Sequence, residues 1–175
     1  MPETVLIPDT AIAQRTHEMA AQIHRDYADA GQVHIVCVLK GAFMFLAYLV
    51  RAIDMPVTLD FMALSSYAKG TTSSGEVRLL KDLDSALEGR HVLIVEDIVD
   101  TGLTLHYLQD ILKARGPKSV RTACLLSKPS RRQIDVRVEY IGFTIDDRFV
   151  VGYGLDLQER YRYLPHIAEL DEGTG

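Results

Sequence analysis

Three acids, Glu96, Asp97 and Asp100, follow a wholly apolar run at residues 92–95 and stand just ahead of Thr101, Gly102, Leu103 and Thr104. The order reads as buried strand, acids, then a Gly/Thr turn opening a helix. A helix N-terminus exposes N–H groups that lack intrahelical partners and carries partial positive charge, so it suits phosphate. Gly102 lets the backbone approach closely, and the threonine hydroxyls add donors. Three carboxylates beside a phosphate cradle would repel the ligand if nothing intervened. Either the acids accept hydrogen bonds from sugar hydroxyls, or Mg²⁺ sits between acids and phosphates. Both arrangements point to a phosphorylated sugar. The plainer alternative is that Asp100 caps the helix and Glu96-Asp97 is a solvated strand end. The Gly-x4-Gly-Lys phosphate loop and the Gly-x-Gly-x-x-Gly dinucleotide turn are both absent from this stretch.

The elements that must position these residues follow from apolar patterning. Asp9 reads as the cap of a helix running to about residue 30, stopped by Gly31. Residues 33–39 (VHIVCVL) are nearly all apolar and β-branched, as in a central strand covered on both faces. Residues 41–53 read as a buried helix and 57–64 as a strand. Residues 65–74 are rich in Ser, Thr and Gly, and read as a mobile loop or open hairpin, with 77–80 as the returning strand. After strand 92–95 a helix spans about 101–115, stopped by Gly116-Pro117. Residues 120–126 and 138–143 read as further strands, 149–150 as a short one, and the acidic tail after Leu164 as frayed. Alternating strands and helices predict an α/β fold with a mostly parallel central sheet flanked by helices. Ligands of such sheets bind at the carboxyl ends of the strands.

The chain of 175 residues fits one domain, with 19 basic and 24 acidic residues and a net charge of −5. That balance argues against a generic binder of nucleic acid or anionic membrane. The longest near-apolar run, 41–50, is about half a membrane span. The N-terminus does not read as a signal peptide. Cys37 and Cys124 lie in apolar runs and read as buried thiols, which suits a cytoplasmic protein. The six histidines show no zinc-like spacing and read as structural or surface residues.

Residues 92–105 (VLIVEDIVDTGLTL) resemble the signature of the type I phosphoribosyltransferases, and the hypoxanthine–guanine branch matches best. The resemblance runs from Leu39 to about Arg162. It implies that Glu96 and Asp97 hold the ribose hydroxyls of 5-phosphoribosyl-1-pyrophosphate. Asp100 would lie near purine N7 as general acid/base. Asp100 together with Thr101, Gly102, Leu103 and Thr104 would form the 5′-phosphate site. Some members carry lysine where this chain has Leu103, so only the backbone N–H can serve there. Leu39, Lys40 and Gly41 match the pyrophosphate loop, which implies a cis peptide between Leu39 and Lys40. Arg162, favoured over Arg160 by its spacing from Asp156, matches the pyrophosphate-contacting arginine. Ser66 and Tyr67 match the start of a mobile loop at about 65–80. Lys128 would donate to the exocyclic oxygen of a 6-oxopurine. Phe149 would stack on the base, Val150 would read its edge, and Asp156 would lie beside it. Glu96, Asp97 and Asp156 are the implied Mg²⁺ ligands.

Taken alone, several of these residues have ordinary readings. Lys40 can simply cap a strand, and Tyr67 can be a surface aromatic. Lys128 can be a solvated lysine or, with Arg131 and Arg132, part of an RNA-facing patch. Phe149 can be core.

The resemblance implies a single domain. Its core would span about 9–150, with a small hood built from the N-terminal and 151–175 segments. It also implies a homodimer or homotetramer and the Mg²⁺-dependent transfer of phosphoribose to hypoxanthine or guanine. The alternatives are a same-fold enzyme acting on another base such as xanthine, and a nucleotide- or RNA-binding regulator of this fold.

Overall fold

A computed structural model describes residues 3–69 and 72–170. The elements in order are β1 (Glu3–Ile7), α1 (Asp9–Asp26), β2 (Val33–Leu39), α2 (Phe43–Ala52), β3 (Val57–Lys69) and β4 (Thr72–Lys81). There follow β5 (His91–Val99), α3 (Leu103–Lys113), β6 (Ser119–Ser127), β7 (Tyr140–Thr144), β8 (Val150–Val151) and β9 (Ile167–Leu170). A six-stranded sheet has the order β4-β3-β2-β5-β6-β7. All its neighbours are parallel except the β3–β4 pair. The chain is thus α/β, as the alternation of elements predicts.

The apolar strands are continuous because both their faces are covered. Ile35, Cys37, Leu93 and Val95 pack toward α1 and α2, with Ile12, Met19, Ile23, Phe45 and Leu49. Val36, Val38, Val92 and Ile94 pack on the other side with Leu105, Leu108 and Leu112 of α3. Successive strand residues alternate between faces, so two buried faces leave no room for polar alternation. Both cysteines are free and buried. Among the described residues, no helix is long and apolar enough to cross a membrane.

β2 pairs with β3 on one side and β5 on the other. The strand order therefore reverses between β2 and β5, and a crevice opens at their carboxyl ends. This topology brings Gly41 against Asp97, although 56 positions separate them in the chain.

Several boundaries differ from those the sequence predicts. Asp9 does not cap α1. Pro8 stands at the cap, and the Asp9 carboxylate accepts only the adjacent Thr10 N–H. α1 ends at Asp26 rather than near residue 30, α2 is shorter than 41–53, and α3 begins at Leu103 rather than Thr101. The segment 65–80 is largely paired. Ser66 and Tyr67 lie on β3 opposite Val77 and Glu76 of β4, so their backbone is strand rather than loop. This is the hairpin that the sequence offers beside a mobile loop, with 77–80 on its returning strand, because Thr, Ser and Tyr suit strand pairing as well as turns.

The pair 149–150 does not extend the main sheet. β8 is Val150–Val151 and joins a separate antiparallel sheet, β1-β9-β8. The tail is ordered into β9 as far as Leu170, because alternate residues there bury against Val151 and Leu164.

Candidate active site

β5 does not stop at the acids. Glu96 pairs with Cys124, Ile98 with Leu126 and Val99 with Ser127, so the strand carries the acids as ladder residues. Glu96 is 6% exposed, unusual for a glutamate with no cation recorded against it. Burial, then the neighbouring Asp97, pushes its carboxyl well above the usual range. Burial raises Asp97 as well, to about 6, although the Ile98 N–H and Arg162 oppose the shift. Neither acid has an ion pair among the described residues, and the backbone N–H groups of Asp97 and Ile98 offset only part of the cost. Such a pair calls for a ligand that brings donors or a cation.

The arrangement predicts a stability cost. Asp97 titrates near 3.8 when unfolded and about 6 when folded. Its ionisation therefore opposes folding. The penalty is absent below about pH 4, grows between pH 4 and 6, and is complete above 6. Asp97→Asn is expected to melt a few degrees higher than the parent at pH 7 and to lose that advantage at pH 4, while donor binding weakens. Scanning calorimetry of both proteins across this range checks it. Equal melting at both pH values rejects the account.

Glu96, Asp97, Asp100, Thr101, Gly102 and Thr104 line a cavity of about 200 Å³, with Val38 and Leu64 at its wall. Gly102 takes φ 87° at the cap of α3. A Cβ there would be 2.9 Å from the Ile134 carbonyl. Thr101 Oγ1 accepts from Leu103 N–H at 3.3 Å, which shapes the turn. Asp100 caps nothing. Its carboxylate accepts from Arg131 Nε at 3.0 Å. Arg132 donates to the Val99 and Asp100 carbonyls and to Ser127 Oγ, binding the ends of β5 and β6 together. The Lys128 N–H adds a bond to the Val99 carbonyl. Lys128 itself is buried, with Nζ 3.8 Å from Asp147. Arg131 also reaches Asp147, at 3.6 Å. These three cations are engaged within the fold rather than spread as an open patch.

The Leu39–Lys40 peptide is cis. Gly41 is packed so tightly that a Cβ would land on the Asp97 carboxylate. Gly154 in turn lies against the Gly41 carbonyl, which seats the 152–162 segment over the end of β2. Arg162 donates to the Gly154 carbonyl at 2.6 Å and approaches Asp156 at 3.1 Å. Its Nε is buried without a hydrogen-bond partner. Phe149 is 42% exposed, so it is no core residue, whereas Val150 is buried in β8. The Ser66 and Tyr67 side chains lie outside the described residues.

Among the described residues, no three His, Cys, Asp or Glu side chains converge as a ready metal cage. Mg²⁺ rarely uses one. It takes one or two carboxylates and completes its shell with water and substrate phosphate. The Glu96-Asp97 pair, which has no ion pair among the described residues, fits that donor set. Sequence reasoning did not assign Arg131, Arg132, Asp147 or Glu159 a part in the site. Their contacts span 5 to 119 positions, and no local spacing signals them.

A crevice at the strand-order reversal, with paired acids and a Gly/Thr turn at a helix start, is the frame of a phosphoribosyl-transferring protein. The family model described as "Phosphoribosyl transferase domain" matches residues 7–158, and the chain belongs to that family. Among its relatives is the hypoxanthine phosphoribosyltransferase of Salmonella typhimurium, 47% identical over 95% of this chain and 94% of that protein. The hypoxanthine-guanine phosphoribosyltransferase of Bacillus subtilis is 48% identical over 96% and 93%. A crystal structure of the hypoxanthine-guanine phosphoribosyltransferase of Bacillus anthracis superposes with a TM-score of 0.91 at 45% identity, covering 96% of this chain and 98% of that one.

Proposed function

We propose that this chain is a purine salvage enzyme that transfers phosphoribose from 5-phosphoribosyl-1-pyrophosphate to N9 of hypoxanthine and guanine. The observation that carries the reading is the buried Glu96 and half-buried Asp97, two adjacent acids without an ion pair among the described residues, beside the Thr101–Thr104 turn at the reversal of strand order. Similarity to hypoxanthine and hypoxanthine-guanine phosphoribosyltransferases over nearly the whole chain supports the choice of base.

In the reaction, purine N9 bonds to C1 of the ribose as the C1–O bond to pyrophosphate breaks, and the proton on N7 passes to Asp100. Glu96 and Asp97 accept the ribose hydroxyls, which repairs their desolvation. The N–H groups of the turn, from Thr101 through Thr104, hold the 5′-phosphate. Lys40, Gly41 and Arg162 hold the pyrophosphate. Lys128 donates to the base's 6-oxygen, Phe149 stacks on the ring, Val150 offers backbone to its edge, and Ser66 and Tyr67 belong to the hairpin that closes over the site. Glu96, Asp97 and Asp156 would hold Mg²⁺, which would supply charge neutralisation for the leaving pyrophosphate. The small β1-β9-β8 sheet, with the 152–162 segment, serves as the hood. Exposed Phe43 and Tyr48 of α2, next to Lys40, support burial of that face in a homodimer or homotetramer. A cytoplasmic location suits this reading and the free, buried thiols of Cys37 and Cys124.

The test is a product assay with Mg²⁺, the phosphoribosyl donor and, separately, hypoxanthine, guanine, xanthine, adenine and uracil. Nucleotide is expected from the first two and not from adenine. Product from xanthine or uracil alone overturns the base assignment. Donor binding without product from any base overturns catalysis in favour of a regulator.

A further inference from the structure

The two cations assigned to pyrophosphate already share a carboxylate. Glu159 Oε2 accepts from Lys40 Nζ at 3.1 Å, and its Oε1 accepts from Arg162 Nη2 at 3.2 Å. One carboxylate thus spans a lysine after β2 and an arginine of the 152–162 segment, 122 residues apart. The placement is built. Leu157 and Arg160 exchange backbone hydrogen bonds at 3.2 and 3.0 Å, closing a two-residue turn with Gln158 and Glu159 at its tip. Both tip residues are left-handed, with φ of 52° and 64°. Such turns ordinarily use Asn-Gly, and two bulky side chains there are strained. Strain of this kind persists where the surroundings over-determine it, commonly at ligand sites. The Asp156 carboxylate secures the turn by accepting the Glu159 N–H at 2.7 Å and pairing with Arg162 through its other oxygen at 3.1 Å.

We infer that Glu159 is an internal stand-in for pyrophosphate: it occupies Lys40 and Arg162 when the donor is absent, yields them to the donor's diphosphate, and retakes them as pyrophosphate leaves. The inference rests on the reading of Lys40 and Arg162 as the pyrophosphate cations. Glu159 therefore sets donor affinity and product release. Two anions that need the same two cations exclude one another, so each weakens the other's hold. The contacts are solvent-exposed, so the competition is modest and screened by salt.

Calorimetric titration with inorganic pyrophosphate and Mg²⁺, without base, tests this on the parent, Glu159→Gln and Glu159→Ala. Both variants are expected to bind pyrophosphate about three- to tenfold more tightly, with the gain shrinking as KCl is raised. In steady state, the donor KM falls in parallel and inhibition by pyrophosphate strengthens, while the KM for hypoxanthine stays put. Unchanged binding in the variants overturns the stand-in. So does weaker binding, which would make Glu159 a residue that orients Arg162. A parent that binds no pyrophosphate removes the reading of Lys40 and Arg162 themselves, a distinct failure.

Discussion

Asp100→Ala is expected to lower turnover by about 10²- to 10⁴-fold while the Kd for the phosphoribosyl donor moves little. The carboxylate lines the cavity at the junction of β5 and α3. Its backbone is fixed independently, since Arg132 holds the Asp100 carbonyl. Deleting the side chain therefore leaves the turn in place. Arg131 loses one partner and keeps Asp147. That ion pair is solvent-exposed, so its loss costs the fold little. On the proposed reading, what disappears is a proton acceptor at N7. Single-turnover kinetics with hypoxanthine, alongside donor titration, separate the two effects. Asp100→Asn keeps the shape and should be nearly as slow, because an amide cannot take the proton. Turnover within threefold of the parent in both variants would remove Asp100 as general acid/base. Parallel loss of turnover and donor binding would make it a donor-binding residue instead.

Lys128→Met carries the second large effect. The lysine side chain is only 9% exposed, with Asp147 at 3.8 Å as its recorded counter-charge. Methionine fills a similar volume, so packing survives. The loss is one charged donor to the 6-oxygen, which would leave a desolvated acceptor on the base. Such a loss is expected to lower kcat/KM for hypoxanthine and guanine by about 10- to 100-fold, with the donor KM unchanged. Discrimination against adenine should shrink by a similar factor, because on the proposed reading the parent's lysine also rejects the 6-amino group. A competition assay with hypoxanthine and adenine reads both at once. An unchanged ratio would mean that selectivity lies elsewhere on the base edge, in the backbone around Val150. A raised donor KM would place Lys128 on the wrong substrate.

The sequence by itself determined the elements and the chemistry carried on them. The runs VHIVCVL and VLIV could only be strands buried on both faces, and the helical patterns between them made the sheet parallel. The acids, Gly102 and the threonines lie within nine positions of one another, so their partnership is local and readable. Patterning reports which face of an element is buried, not which element lies beside it. The order of strands was therefore left to the tertiary structure, and with it the meeting of the turn after β2 with Asp97 of β5. Only packing shows that Asp97 lies on Gly41, that burial lifts its carboxyl to about 6, and that β8 and β9 leave the main sheet for one of their own. The contacts of Arg131 with Asp100 and of Glu159 with Lys40 belong to the same class. Each joins residues that local spacing does not relate, because the energy that brings them together comes from burying the sheet's two faces and not from the residues themselves.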